Sequence, residues 1–139
     1  MSIKGHLLLI DSDLHVLLAR QQALSAEMDE EGSLTIAGTT ERALAFIQRT
    51  DYSLIVCHLE MPKLNALKFL SQVKQARPKS RIVFLAGSDA HRESLVRHGA
   101  DDVIDDPTST IEFVRAIQRT LRRMDLIRRV REANLRKRT

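Results

Sequence analysis

Short apolar runs recur along this chain, and each is followed by a stretch with helical spacing. This alternation constrains the fold more than any other feature. His6-Leu7-Leu8-Leu9-Ile10, Leu34-Thr35-Ile36-Ala37, Leu54-Ile55-Val56-Cys57, Ile82-Val83-Phe84-Leu85 and the brief Val103-Ile104 are the strand candidates. Runs without polar interruption are expected of strands covered on both faces, as in a parallel sheet. Leu14, Leu17, Leu18, Leu24 and Met28 recur at roughly helical spacing after the first run. Thr40 can cap a helix carrying Leu44 and Ile47, and Asn65 one carrying Leu67, Leu70 and Val73 that stops before Pro78. Both side chains accept from the free N–H groups of a first helical turn. Ser88 opens a fourth helix ending at Gly99, a residue suited to the left-handed position beyond a helix. Ser109 and Glu112 have capping-box spacing and open the last helix. Five strands alternating with five helices predict an α/β, doubly wound parallel sheet of the flavodoxin-like kind, with the last helix extended. Right-handed crossovers bring the carboxyl ends of the strands to one edge, where sites form in such folds. The residues to interrogate are therefore Asp11, Ser12, His58, Ala86 and Asp106.

Composition removes several classes. The chain has 139 residues, enough for one domain with a sizeable core. The single cysteine, Cys57, excludes an intrachain disulfide framework and lies in an apolar run, where an inert buried thiol is expected. No long apolar span predicts a membrane helix, and the segment from Met1 to Gly5 has no signal-peptide pattern, so a cytoplasmic location is expected. Only five glycines occur, none in a phosphate-binding run, and the strand ends lack a nucleophile–base pair. The chain is expected not to be an enzyme.

The middle of the chain carries a more specific signal. The spacing of Ile10-Asp11-Ser12-Asp13, Leu59-Glu60-Met61-Pro62, Phe84-Leu85-Ala86-Gly87, and Gly99-Ala100-Asp101-Asp102 through Asp106-Pro107 resembles the receiver (CheY-like) domains of two-component response regulators. The resemblance covers about residues 5–120. In that family an aspartate three residues before the Met-Pro dipeptide accepts a phosphoryl group, and His58 stands in that place. The resemblance thus implies a degenerate pseudo-receiver that lacks its acceptor. It matches Asp11 to the first of two metal-binding acids and Ser12 to the second. A serine hydroxyl is a weak ligand for a hard cation, so Mg²⁺ binding is expected to be weak or absent, and no cofactor is implied. Asp13 reads as the acid that starts the first helix. Ala86 matches the hydroxyl residue that holds the phosphoryl group, Asp106 the lysine that pairs with it, and Val103 the aromatic switch residue. His58 facing Asp106 would reverse the usual acid-to-lysine pair, with a protonated imidazole between Asp106 and Asp11. Asp11, His58, Asp106 and Glu60 are otherwise a thin donor set for zinc.

The charge is uneven. Residues 111–139 hold 10 Lys/Arg and 3 Asp/Glu, whereas residues 1–110 hold 12 and 15. The chain divides into a receiver-like domain over 1–120 and a basic helical extension over 121–139. Leu121, Met124, Ile127 and Val130 continue an apolar stripe into that extension, the pattern of a dimerisation helix or of a linker to a downstream output domain. The function expected is an atypical receiver that signals by phosphorylation-independent contact with a protein partner, a homodimer being one form of it. The alternatives are a DNA-associated regulator using the basic helix and a phosphorelay receiver with a non-standard acceptor. No aromatic residue interleaves the tail arginines, so base stacking is not suggested.

Overall fold

The computed structural model describes residues 2–87 and 91–137. Five strands, β1 (His6–Ile10), β2 (Ser33–Ala37), β3 (Leu54–His58), β4 (Arg81–Ala86) and β5 (Asp102–Asp105), form one parallel sheet in the order β2-β1-β3-β4-β5. They alternate with the helices α1 (Leu14–Ser25), α2 (Thr40–Arg49), α3 (Ala66–Ala76), α4 (Arg92–Arg97) and α5 (Thr110–Lys137). This is the doubly wound architecture expected from the alternation, with a last helix of 28 residues.

Strand parity divides the core in two, because successive side chains point to opposite faces of a sheet. Leu8, Ile10, Ile55, Cys57, Ile82 and Phe84 face one way and meet Ala43, Ile47, Phe69, Leu70, Val73 and Leu95 of α2, α3 and α4. Leu7, Leu9, Leu54, Val56, Val83 and Leu85 face the other way and meet Leu17 and Leu24 of α1 and Phe113, Ile117 and Met124 of α5. That double coverage is why β1, β3 and β4 are unbroken apolar runs.

Several local readings change in detail. Thr39, not Thr40, caps α2, accepting from the Arg42 N–H at 3.1 Å. Asn65 caps α3 as expected, through the Lys68 N–H at 3.1 Å. Helix α1 ends at Ser25, so Met28 lies beyond it in a short bridge to Ile3. Leu14 and Leu18 are exposed, and the buried stripe of α1 is Leu17, Arg20 and Leu24. Ser88 lies outside the described residues. Helix α4 spans Arg92–Arg97, and Gly99 beyond it takes a φ of 114°, the left-handed conformation expected there. Ser109 accepts from the Glu112 N–H at 3.2 Å, while the Glu112 carboxylate takes a bond from the Thr108 hydroxyl at 3.3 Å.

The extension departs furthest from its expected exposure. Met124 is buried and Leu121 partly buried against the sheet face beneath α1 and α5. Ile127 and Val130 are 43% and 51% exposed. Two of the four apolar residues read as a partner-seeking stripe are thus covered by the chain itself. No helix among the described residues is long and apolar enough to cross a membrane.

Candidate functional site

The strand order turns back between β1 and β3, so the carboxyl ends of these strands and their neighbours make the natural crevice. Backbone bonds carry the sheet just past its ends and fix the residues there. The Asp11 N–H donates to Ala37 O at 3.1 Å, and the Asp106 N–H to Ala86 O at 3.0 Å. Asp11 follows β1, His58 ends β3, Ala86 ends β4 and Asp106 follows β5. Ala86 and Val103 are fully packed in the core and present no polar group. Ser12 is exposed. Asp13 caps α1 by accepting from the Val16 N–H at 3.2 Å, as its position suggested.

His58 and Asp106 meet. His58 Nε2 lies 2.9 Å from Asp106 Oδ2. The Glu60 N–H donates to His58 Nδ1 at 3.2 Å, so Nδ1 serves as acceptor and the ring donates through Nε2. The fixed positive charge comes from Arg20, on α1. Its Nη2 donates to Asp106 Oδ1 at 2.9 Å and to Pro107 O at 3.2 Å, and its Nη1 stands 3.9 Å from Asp11 Oδ2. The guanidinium also lies over the Phe113 ring, 4.6 Å from its centre. Asp11 Oδ1 accepts from the Asp13 N–H at 3.0 Å.

The result is a connected line of polar groups: His58, Asp106, Arg20, Asp11. The Arg20 and Asp11 side chains are each 9% exposed and Asp106 33%. Burial pushes the Asp106 carboxyl up, but the bonds from His58 and Arg20, with the Arg20 charge, outweigh it and hold it below the ordinary carboxylate value. Burial, with the Asp11 charge, pushes the neighbouring Cys57 thiol far up, so Cys57 is a packing residue. Among the described residues no buried side-chain nitrogen or oxygen lacks a partner.

Arg20 was not singled out by sequence. Its signal was an arginine on the apolar stripe of α1, between Leu17 and Leu24. A charge at such a position is costly unless it is paired. Its partner Asp106 lies 86 residues away, out of reach of any local pattern.

The residues present do not suit a hard divalent cation. Asp11 is already engaged by a backbone N–H and faces a guanidinium, and Asp106 is held by His58 and Arg20. A cation would have to displace Arg20 and would find the exposed Ser12 where a second carboxylate is wanted. The thin zinc set fares no better, because no cluster of three or more His, Cys, Asp or Glu among the described residues is arranged to hold an ion.

Comparison with known proteins gives a consistent answer. Residues 7–118 match the family model of the response regulator receiver domain. The photosynthetic apparatus regulatory protein RegA of Rhodobacter capsulatus is 30% identical over 114 residues, 80% of this chain and 60% of RegA. Among solved structures, a CheY-like response regulator receiver domain protein from Methanospirillum hungatei superposes with a TM-score of 0.72 at 22% identity, over 88% of this chain and 98% of that one. The signal receiver domain of a putative LuxO repressor protein from Vibrio parahaemolyticus gives 0.71 at 20% identity, over 92% and 98%. At such identities the superpositions speak for the fold.

Proposed function

Because this chain belongs to the response regulator receiver family, we propose that it is a receiver domain of two-component signal transduction that works without being phosphorylated. The observation that carries this reading is the closed network at the strand ends, in which His58 donates to Asp106 and Arg20 bridges Asp106 to Asp11. Phosphoryl transfer needs a nucleophile and positive charge placed around the incoming oxygens. His58, in the acceptor's place, has both ring nitrogens committed, one to the Glu60 N–H and one to Asp106. Asp106 stands where the family carries a lysine, and a carboxylate there repels phosphate. Ala86 offers no hydroxyl, and Val103 has no aromatic ring to swing. The pocket serves as a strut that holds one conformation.

A domain locked in this way acts through contact. Residues 1–120 form the receiver body in this reading, and 121–139 the helix that carries its output. The unbroken run of α5 to Lys137 supports that division. The test is an amide NMR spectrum of the chain with and without Mg²⁺ and beryllium fluoride as a phosphoryl mimic. Unchanged signals at Asp11, His58, Ala86 and Asp106 are expected. Saturable shifts of those amides at modest ligand concentration would overturn the proposal.

A further inference from the structure

The opposite pole of the molecule, where the strands begin, holds charges the pocket does not use. A groove runs there between the overhanging end of α5 and the entrances to β1, β3 and β4. It is lined by Lys4, Lys79, Arg81 and Arg122, with Arg128 and Arg129 further along the helix. Its single acid, Asp125, is already taken by Arg128 and Arg129 at 2.6 and 3.0 Å. Among the described residues, Lys4, Lys79, Arg81 and Arg122 have no carboxylate within ion-pair distance. Leu126, 61% exposed, lines the same groove and adds apolar surface.

Beside it lies a patch of the other sign. The turn after α1 carries Glu27, Glu30 and Glu31, all exposed and none paired with a cation among the described residues. The turn is tied to the groove wall by backbone bonds. The Ile3 N–H donates to Glu27 O at 2.7 Å, and the Asp29 N–H donates to Ile3 O at 2.9 Å. Cations and carboxylates unpaired among the described residues therefore sit side by side on one pole, joined through Ser2–Lys4.

We infer that this pole is a self-complementary interface, in which the acidic turn of one copy enters the basic groove of a second. Adjacent patches of opposite sign satisfy the self-complementarity of a two-fold contact, since each copy supplies both halves and the contact closes on itself. Leu126 provides apolar area in the groove, which a phosphate backbone would leave unused. The inference deepens the proposed function by naming the partner, and it rests on the reading that this chain acts through protein contact.

The test is sedimentation velocity on the full chain and two exposed double variants, Lys79→Glu with Arg122→Glu and Glu30→Lys with Glu31→Lys. The wild type should form a dimer that weakens at least about tenfold as salt rises from about 0.05 to about 0.5 M. Each double variant should weaken it at least about tenfold at low salt, and an equal mixture of the two should restore it, because both contacts are again of opposite sign. Urea unfolding at the wild-type midpoint would show that neither variant has lost its fold. A wild-type monomer at about 0.1 mM, association that survives both variants, or a mixture that stays monomeric would overturn the inference. So would a monomeric wild type that binds duplex DNA and loses it only in the Lys79/Arg122 variant, which would assign the groove to nucleic acid. A monomer together with a silent pocket would sink this interface and leave the phosphorylation-independent reading standing. Charge-dependent dimers together with a pocket that binds beryllium fluoride would do the reverse.

Discussion

Replacing Arg20 by methionine isolates what the polar network contributes. The substitution keeps the stem that packs beside Leu17 and Phe113 and removes the guanidinium. Asp106 then loses a charge-assisted bond of 2.9 Å, Pro107 O loses its donor, and Asp11 loses the cation that faces it. At an effective dielectric of about 20, opposite charges about 4 Å apart attract by about 4 kcal/mol. Removing one member of a buried pair typically costs about 3–5 kcal/mol, because the survivor stays buried and uncompensated. Asp106 is 33% exposed, so water recovers part of its share. A cost of about 2–4 kcal/mol follows, or a fall in Tm of about 5–12 °C for a domain of this size. Urea unfolding followed by circular dichroism should show a lower midpoint with an unchanged slope. The cost should be greatest near neutral pH and shrink as acid protonates Asp106, which then needs no counter-charge. Arg20→Lys should fall between, since an ammonium keeps the charge but not the fork that reaches two carboxylates. A loss under about 1 kcal/mol at pH 7 with no pH dependence would refute the view that Arg20 holds this site together.

Three further outcomes follow from the same contacts. His58→Asp alone should destabilise by about 1–3 kcal/mol, because it removes the bond to Asp106 and faces that carboxylate with a second one, and adding Asp106→Lys should recover most of that loss in a double-mutant cycle. The depressed Asp106 carboxyl contributes stability that is fully present above its unfolded value of about 4 and lost as pH falls through its folded value, so the urea midpoint should decline over that acidic window. Asp106→Asn should flatten the decline. Met124→Ala should cost about 2–4 kcal/mol as a core truncation, whereas Ile127→Ala should stay within about 0.5 kcal/mol. Equal effects at the two positions would misplace the point where α5 leaves the core.

Much of this molecule was legible in one dimension. Apolar runs and helical spacing are local, so β1, β3 and β4, the Asn65 cap and the Gly99 turn could be read directly. Parallel strands joined by right-handed crossovers then forced Asp11, His58, Ala86 and Asp106 to one edge, and the encounter of His58 with Asp106 followed from that topology. The chemistry of the encounter did not. The Glu60 N–H sets which imidazole nitrogen accepts, and that depends on a turn geometry which residue types do not encode.

What only the tertiary structure decided involves residues distant in sequence. Arg20 reads as one more helix arginine until α1 packs against α5 and brings it to Asp106 and Phe113. Met124 looks like part of an exposed stripe until the sheet face beneath α5 is seen to extend that far. The acidic turn near Glu30 and the basic groove near Arg122 lie about ninety residues apart in the chain, and the pairing of Ile3 with Met28 helps make them neighbours. Periodicity reports which side of an element is buried, because that depends on near neighbours alone. It does not report which charge meets which, because electrostatic partners are chosen by where whole elements come to rest.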